Sequence, residues 1–411
     1  MIEHTLANPL PEEWKWVISS DILDIRDGTH DTPKYVNENG IALITSKNLK
    51  NNQIDFKKVS YISKEDFLEI SKRSKVEEGD ILFAMIGTIG NPAIIKGDSN
   101  FSIKNVGLFK KNEKEILPLF LVNFLRSYTF EKQLAERKLL KGTTQKFIPL
   151  GNLRKINIPL PSINVQLSIV SKIEELFSEL DKGIENMRSA QQQLKTYRQA
   201  VLKWAFEGKL TNENVKDGAL PKGWNVYELK EIITISTKKH APKMPELLFY
   251  IGLEHIQKHT GKLTTTVGWE MIKTIKNKFQ KGNILYGKLR PNLNKAYLAN
   301  EDGVCSTDIL VIQVNSRILA QYLHPILLSI DFVNKMSENT SGVNLPRVST
   351  KFILEYKIAL PSIKEQIKII QEIERRLSVA DKMEESITQS LQQAEALRQS
   401  ILKKAFEGTL V

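Results

Sequence analysis

The chain has 411 residues, with Lys and Arg exceeding Asp and Glu by 59 to 47, a formal net charge of +12. That length predicts two or three domains, each with chain enough for its own core, and the 41% hydrophobic content is that of a globular protein. No apolar run is long enough to span a bilayer, the opening Met1-Ile2-Glu3-His4 is not a basic-then-apolar leader, and a lone cysteine, Cys305, permits no internal disulfide. A cytoplasmic protein without a membrane partner is expected.

In chain order, a first region over residues 1–157 opens with Leu10-Pro11-Glu12-Glu13-Trp14 and then alternates short β-type runs with Gly, Asn and Lys turns. Strands are predicted at Ile41–Thr45, Asp80–Met85 and Val106–Phe109, and a helical stretch at Leu117–Lys138. Residues 158–212 then read as one long helix and a linker. Pro161-Ser162 supplies a stop and a cap, and Gly208 stands where a helix closes. Gly208 to Pro221, rich in Asn, Asp, Glu and Lys, forms the linker.

A second region, 213–357, repeats the plan. It opens Leu220-Pro221-Lys222-Gly223-Trp224, with strands predicted at Leu248–Ile251, Asn283–Tyr286 and Asp308–Val314 and a helical stretch at Ile318–Met336. Residues 358–411 form a second long helix, from Pro361-Ser362 to Gly408. Segments 158–210 and 358–410 align without a gap at an offset of 200, with 24 identities in 53 pairs. The duplication therefore covers a whole domain-plus-helix unit.

Within the helices an apolar residue recurs every seventh position: Ile173, Leu180, Met187, Leu194, Val201 and then Ile373, Ala380, Ile387, Ala394, Ile401. Such a seam packs against another helix along its length, and about 43 residues at ~1.5 Å each make a rod of roughly 65 Å. The other copy in the chain is the natural partner; the alternatives are a hairpin within each domain or a coiled coil with another protein. Polar intrusions at Gln191, Arg198, Glu384 and Arg398 set register. The fold class is α+β: two mixed domains, mostly antiparallel by their turn lengths, joined by two long coiled-coil helices in an internal repeat.

The charge is uneven, +4 in residues 1–157 and +7 in 213–357 against +1 in 158–212 and 0 in 358–411. The basic excess lies in the variable regions, which points to a polyanion there, nucleic acid above all. No catalytic constellation competes with this. Gly282 to Lys288 has the spacing of a phosphate loop, but Leu289 stands where a hydroxyl is required. His255 and His259, four apart, could share a helix face but lack further metal ligands, and Cys305 has no adjacent histidine. No Gly-x-Gly-x-x-Gly loop occurs.

What remains is a set of polar, basic loops at matching places in the two regions. In the first they carry Arg26, Thr29, His30, Ser46, Lys47, Asn48, Lys104, Asn105, Thr143, Thr144, Gln145 and Lys146. In the second they carry Lys238, Lys239, His240, His255, Lys288, Arg290, Asn292, Asn294, Lys295, Asn344 and Arg347. These side chains suit guanine and adenine edges and phosphate oxygens, so all are candidate DNA contacts.

The whole chain resembles the specificity (S) subunit of type I restriction–modification systems. The resemblance rests on the two Leu-Pro-Ser-Ile phrases (160–163, 360–363), Gln166 and Gln366, the two Ala-Phe-Glu-Gly endings, the Leu-Pro-x-x-Trp openings, Lys288-Leu289-Arg290-Pro291 and Gly342 to Arg347. Asn164 departs from the charged residues usual there, and the first unit shows Met85-Ile86-Gly87-Thr88 in place of Lys288-Leu289-Arg290-Pro291. The resemblance implies two target-recognition domains, each reading one half of an asymmetric bipartite double-stranded DNA site. It implies two long antiparallel coiled-coil helices in a pseudo-two-fold repeat, which set the spacer between the half-sites and dock two modification subunits. S-adenosylmethionine would sit in those subunits, ATP and Mg²⁺ in the restriction subunits of the full complex, and no cofactor, metal or catalytic residue in this chain. Two other readings are a coiled-coil scaffold that bridges proteins without sequence-specific DNA binding, and a self-contained methyltransferase or nuclease.

Overall fold

The computed structural model describes residues 10–37, 39–212, 215–216, 218–342 and 344–411. The opening Met1 to His4, part of the linker and Val343 lie outside the described residues. Two compact units partition the chain, one of residues 1–187 with 389–411 and one of 188–388. Each therefore takes the first half of one long helix and the second half of the other. No described helix is long and apolar enough to cross a membrane.

In the first unit, the opening phrase makes a turn in which the Trp14 amide donates to the Pro11 carbonyl at 2.9 Å. Lys15–Ile18 then pairs antiparallel with Asn157–Leu160, Trp16 opposite Pro159. The central sheet runs β1 (Ile25–Asp27), β7 (Val106–Phe109), β4 (Ile81–Ala84), β5 (Gly90–Ile94), all antiparallel. A second sheet places β6 (Phe101–Lys104) parallel to β2 (Ile41–Thr45), which pairs antiparallel with β3 (Ser60–Ile62). The parallel strand pair in each unit is a departure from the antiparallel expectation. β4 is buried on both faces: Ile81 and Phe83 meet the helices, while Leu82 and Ala84 meet the second sheet. That makes three layers from one alternating strand.

The second unit repeats this. Asn225–Glu228 pairs with Lys357–Leu360. Its central sheet runs β8 (Ile233–Ile235), β15 (Ile309–Val314), β12 (Ile284–Gly287), β13 (Ala296–Leu298). Its second sheet has β9 (Glu246–Ile251) between β10 (Gly268–Ile272), antiparallel, and β14 (Gly303–Cys305), parallel, with β11 (Lys276–Phe279) beyond β14. The stretch with phosphate-loop spacing is strand β12 with antiparallel neighbours, as its missing hydroxyl led one to expect.

The long helices span Ile163–Phe206 and Ile363–Phe406. All ten residues of the seven-spaced seam are buried or half-buried. The helices pair antiparallel within each unit. In the first, Arg398 pairs with Asp181 and stacks on the Phe177 ring at 4.6 Å. In the second, Arg198 reaches Asp381 at 2.6 Å and Glu384 at 2.9 Å. The polar intrusions at 198, 384 and 398 are therefore cross-helix ion pairs, as a register role requires.

Two predicted helices are each broken in two. Leu117–Lys138 is Pro118–Leu125 followed by Tyr128–Glu136, and Ile318–Met336 is Ala320–Leu328 followed by Ile330–Glu338. The cause is one serine in each. Ser127 donates to the Phe124 carbonyl at 2.7 Å and accepts from Phe130 N, while Ser329 does the same with Ile326 and Phe332. A side chain that ends one helix and caps the next defeats a periodicity that runs straight through it.

Gln166 and Gln366, fully buried, tie these helical pairs to the long helices. Gln166 accepts from Leu117 N at 2.9 Å and donates to the carbonyls of Glu115 and Pro161 at 3.0 and 3.1 Å. Gln366 makes the same three bonds with Leu319, Arg317 and Pro361 at 2.9, 2.9 and 3.0 Å. Gln166→Leu keeps the volume and leaves three backbone groups without their side-chain partner, so it should destabilise the first unit by about 2–4 kcal/mol. Hydrogen exchange at residues 117–125 will rise while the second unit is unchanged; equal exchange in wild type and variant would contradict this.

Candidate nucleic-acid interface

Strand register brings the predicted loops of the first unit to one end of its central sheet. Val106 faces Ala84 across β7 and β4, and Gly107 faces Asp27 across β7 and β1. The segments Gly28 to His30, Lys104-Asn105 and Met85 to Thr88 therefore leave the sheet side by side. Parallel pairing of Lys104 with Thr45 brings Ser46 to Asn48 to the same end, where Ser46 Oγ donates to the Asn105 carbonyl at 2.9 Å. The Lys141–Phe147 hairpin closes on the Met85–Gly87 loop: Ile86 bridges Phe147, and Gly87 N donates to the Lys146 carbonyl at 3.1 Å. Thr143, Thr144, Gln145 and Lys146 are all exposed at its tip.

The second unit builds the equivalent end from other residues. Gly287 faces Ile309, so Lys288 to Arg290 leave beside Ser306 to Asp308, and Lys288 N donates to the Asp308 carbonyl at 3.2 Å. Leu289 bridges Arg347, as Ile86 bridges Phe147 in the first unit. Arg290 N donates to the Pro346 carbonyl at 2.7 Å, holding Arg290 at φ +52° with its side chain exposed. Arg347 is exposed 3.4 Å from Asp308, and Asn292 and Asn344 are exposed nearby in sequence. Exposed Lys238 and Lys239 follow β8, and His240 lies 2.9 Å from Glu246.

Four predicted contacts turn their side chains into the fold. Asn48, 6% exposed, accepts from Thr45 N and Oγ1 at 3.0 and 2.8 Å and donates to the carbonyls of Asp55 and Lys58. His255, also 6% exposed, is its counterpart, accepting at Nδ1 from Gly252 N at 3.1 Å. Both sit third in a tight 3-10 turn and knit it to the preceding residue. His255 and His259 share no helix face, since His259 is in a turn at φ +61°. Asn294, 2% exposed at φ +46°, donates to the Leu328 carbonyl at 3.0 Å, and Lys295 turns inward to donate to the Leu253 carbonyl. Burial, with Lys258 nearby, pulls the Lys295 ammonium below its ordinary value. Arg26 is held by Asp24 and the Arg73 carbonyl.

The sequence reading passed over Arg73, whose guanidinium grips buried Asp27 from the helix Lys64–Ser74. Its signal was the Ser63 cap, which accepts from Asp66 N at 3.1 Å, followed by an acidic first turn and the basic pair Lys72-Arg73 in the last. Among the described residues no group of three or more His, Cys, Asp or Glu could hold a metal ion.

The profile of the family described as type I restriction modification DNA specificity domain matches the chain twice, at residues 11–187 and 221–396. The type I restriction enzyme EcoDI specificity subunit of Escherichia coli is 29% identical over 349 residues, 77% of each chain. Two solved structures share the fold. One, from work on complex assembly and conformational transition of the type I R-M system, has a TM-score of 0.73 at 18% identity, covering 98% of this chain and all of that one. The other, the HsdS subunit from Thermoanaerobacter tengcongensis, has a TM-score of 0.57 at 19% identity and covers 98% and 99%.

Asn48→Ala and His255→Ala should each cost about 1–3 kcal/mol, against less than about 0.5 for Lys47→Ala, as thermal unfolding will report. Equal effects at 47 and 48 would return Asn48 to the surface set. Burial pushes the Cys305 thiol up to about 12. Native Cys305 should therefore resist iodoacetamide at pH 8 and be labelled at once in denaturant. Because its native value is raised, stability is intact below the ordinary thiol value of about 8.5 and falls as pH climbs from there toward 12.

Proposed function

The chain belongs to the type I restriction modification DNA specificity family, and on that premise we propose that it reads a bipartite, asymmetric double-stranded DNA site, one half per unit. The observation that carries this is the repetition of one backbone site with different side chains. The bridge of Ile86 to Phe147 recurs as Leu289 to Arg347. Around the first lie Thr143 to Lys146, and around the second Arg290, Asn344 and Arg347. The same scaffold with unlike donors and acceptors suits two unlike half-sites. Net charges of +4 and +7 over residues 1–157 and 213–357 suit the phosphates on either side.

The long helices dock two modification subunits in this reading. Supporting it, Leu167, Tyr197, Trp204, Val379, Met383 and Leu397 are largely apolar and 40–54% exposed on helices whose seam is buried or half-buried. S-adenosylmethionine belongs to those subunits, ATP and Mg²⁺ to restriction subunits, and this chain positions the complex without catalysing a step, in the cytoplasm. The scaffold reading predicts instead that sequence makes no difference to DNA binding.

Selection of bound duplexes from a randomised pool, using the full chain with the subunits that copurify, should return two unlike half-sites at fixed spacing. Arg290→Ala with Arg347→Ala should relax one half and leave the other, and affinity should fall steeply with salt. No enrichment at low salt would favour the scaffold, and a change in both half-sites would refute one unit per half.

A further inference from the structure

At the recognition end of the first unit a chain of side chains runs from the interior to the surface. Arg73 grips one oxygen of buried Asp27, and the other lies 2.8 Å from His30 Nε2. His30 Nδ1 lies 2.8 Å from Asn105 Oδ1. A carboxylate only accepts, so Nε2 carries the proton shared with Asp27. The Asn105 amide turns its Oδ1 toward Nδ1. The amide is fixed with Oδ1 inward, and Nδ2 with its two N–H groups has no protein partner among the described residues.

The Asn105 backbone is held as firmly. It sits at φ +55°, its amide donates to the Thr29 carbonyl at 3.3 Å, and its carbonyl accepts from Ser46 Oγ. Asparagine is among the few side-chain-bearing residues that adopt this left-handed conformation readily. A polar group locked from both backbone and side chain, beside Lys104 and exposed Lys47, meets a ligand with little further loss of freedom.

We propose that Asn105 is a base-reading residue of the first unit, donating from Nδ2 to an acceptor on a major-groove base edge, and that His30 is its positioning residue. The acceptor is guanine O6 or N7, thymine O4 or adenine N7. The inference rests on the DNA-reading function proposed above and gives it an atom and a polarity.

The test is a binding series with the full chain and its copurifying subunits on the selected duplex and on single base-pair substitutions of it. Asn105→Gly removes the amide and suits the left-handed backbone, so the fold is kept. It should lose roughly 5- to 150-fold discrimination at one base pair of one half-site, with the other half-site and the affinity for random duplex unchanged. His30→Ala should weaken discrimination at that same pair alone, which a merely structural role would not do. Asn105→Asp, which offers an acceptor, should shift preference there toward a base presenting an amino group. Full discrimination at every pair in Asn105→Gly would overturn the assignment, and an unaltered preference in Asn105→Asp would overturn the donor polarity. If the wild-type chain shows no sequence preference at all, the DNA-reading function fails first and this inference with it.

Discussion

The structure hangs on two buried amides. Gln166 and Gln366 each answer three backbone groups that no secondary structure satisfies, at the point where a strand ends, a long helix begins and a loop enters the helical pair. A buried amide left unpaired would cost more than a typical hydrogen bond gains, so the site is either complete or badly destabilised. Because it is complete, the helical pair is fixed to the long helix. Phe120 and Phe124 can then meet Phe406 in the first unit, and Tyr322 meets Phe206 in the second. The central sheet packs on that aromatic layer, and its far end carries the candidate interface.

The second constraint closes each unit. A Cβ on Gly208, at φ +77°, would collide with Pro221, and one on Gly408, at φ +71°, with Pro11. The helix endings thus pack on the Leu-Pro-x-x-Trp turns, with only glycine small enough and free enough in φ. The first pair joins neighbours across a linker. The second joins the start of the chain to its end, so the first unit is finished only by residues 389–411. A tandem duplication in sequence is in space two units that each borrow half a helix from the other's repeat.

How much of this could be read beforehand follows from where the information lies. The seam from Ile173 to Val201 and from Ile373 to Ile401 was legible because periodicity is local and all ten positions obey it. Strands such as Ile41–Thr45 and Val106–Phe109 were legible from β-branched and apolar runs between turns. The serine breaks were not, because a residue that could sit on a helix surface gives no warning that it also caps the next turn. Asn48 and His255 looked like DNA contacts for a similar reason. Each is polar, in a loop, among lysines or glycines, and nothing in that local pattern shows that its side chain turns inward to bond the preceding backbone N–H. Asn105 and Thr143 to Lys146 were placed in loops from sequence; their convergence on one sheet end is a fact of register alone.

That separation between holding and reading is the last consequence of the fold. Asn48 and His255 do one job with different chemistry, an amide and an imidazole each closing a 3-10 turn onto the preceding backbone N–H. Ile86 with Phe147 and Leu289 with Arg347 also do one job, through backbone atoms. Stability is therefore assigned to buried polar residues and main-chain bridges, and the exposed side chains at the sheet end owe little to it. Exchanging an exposed Gln145 or Arg290 alters donors and acceptors without leaving a buried group unpaired. A scaffold organised this way can present two different surfaces from one duplicated plan, because the energy that holds the loops is not drawn from the groups that would meet the bases.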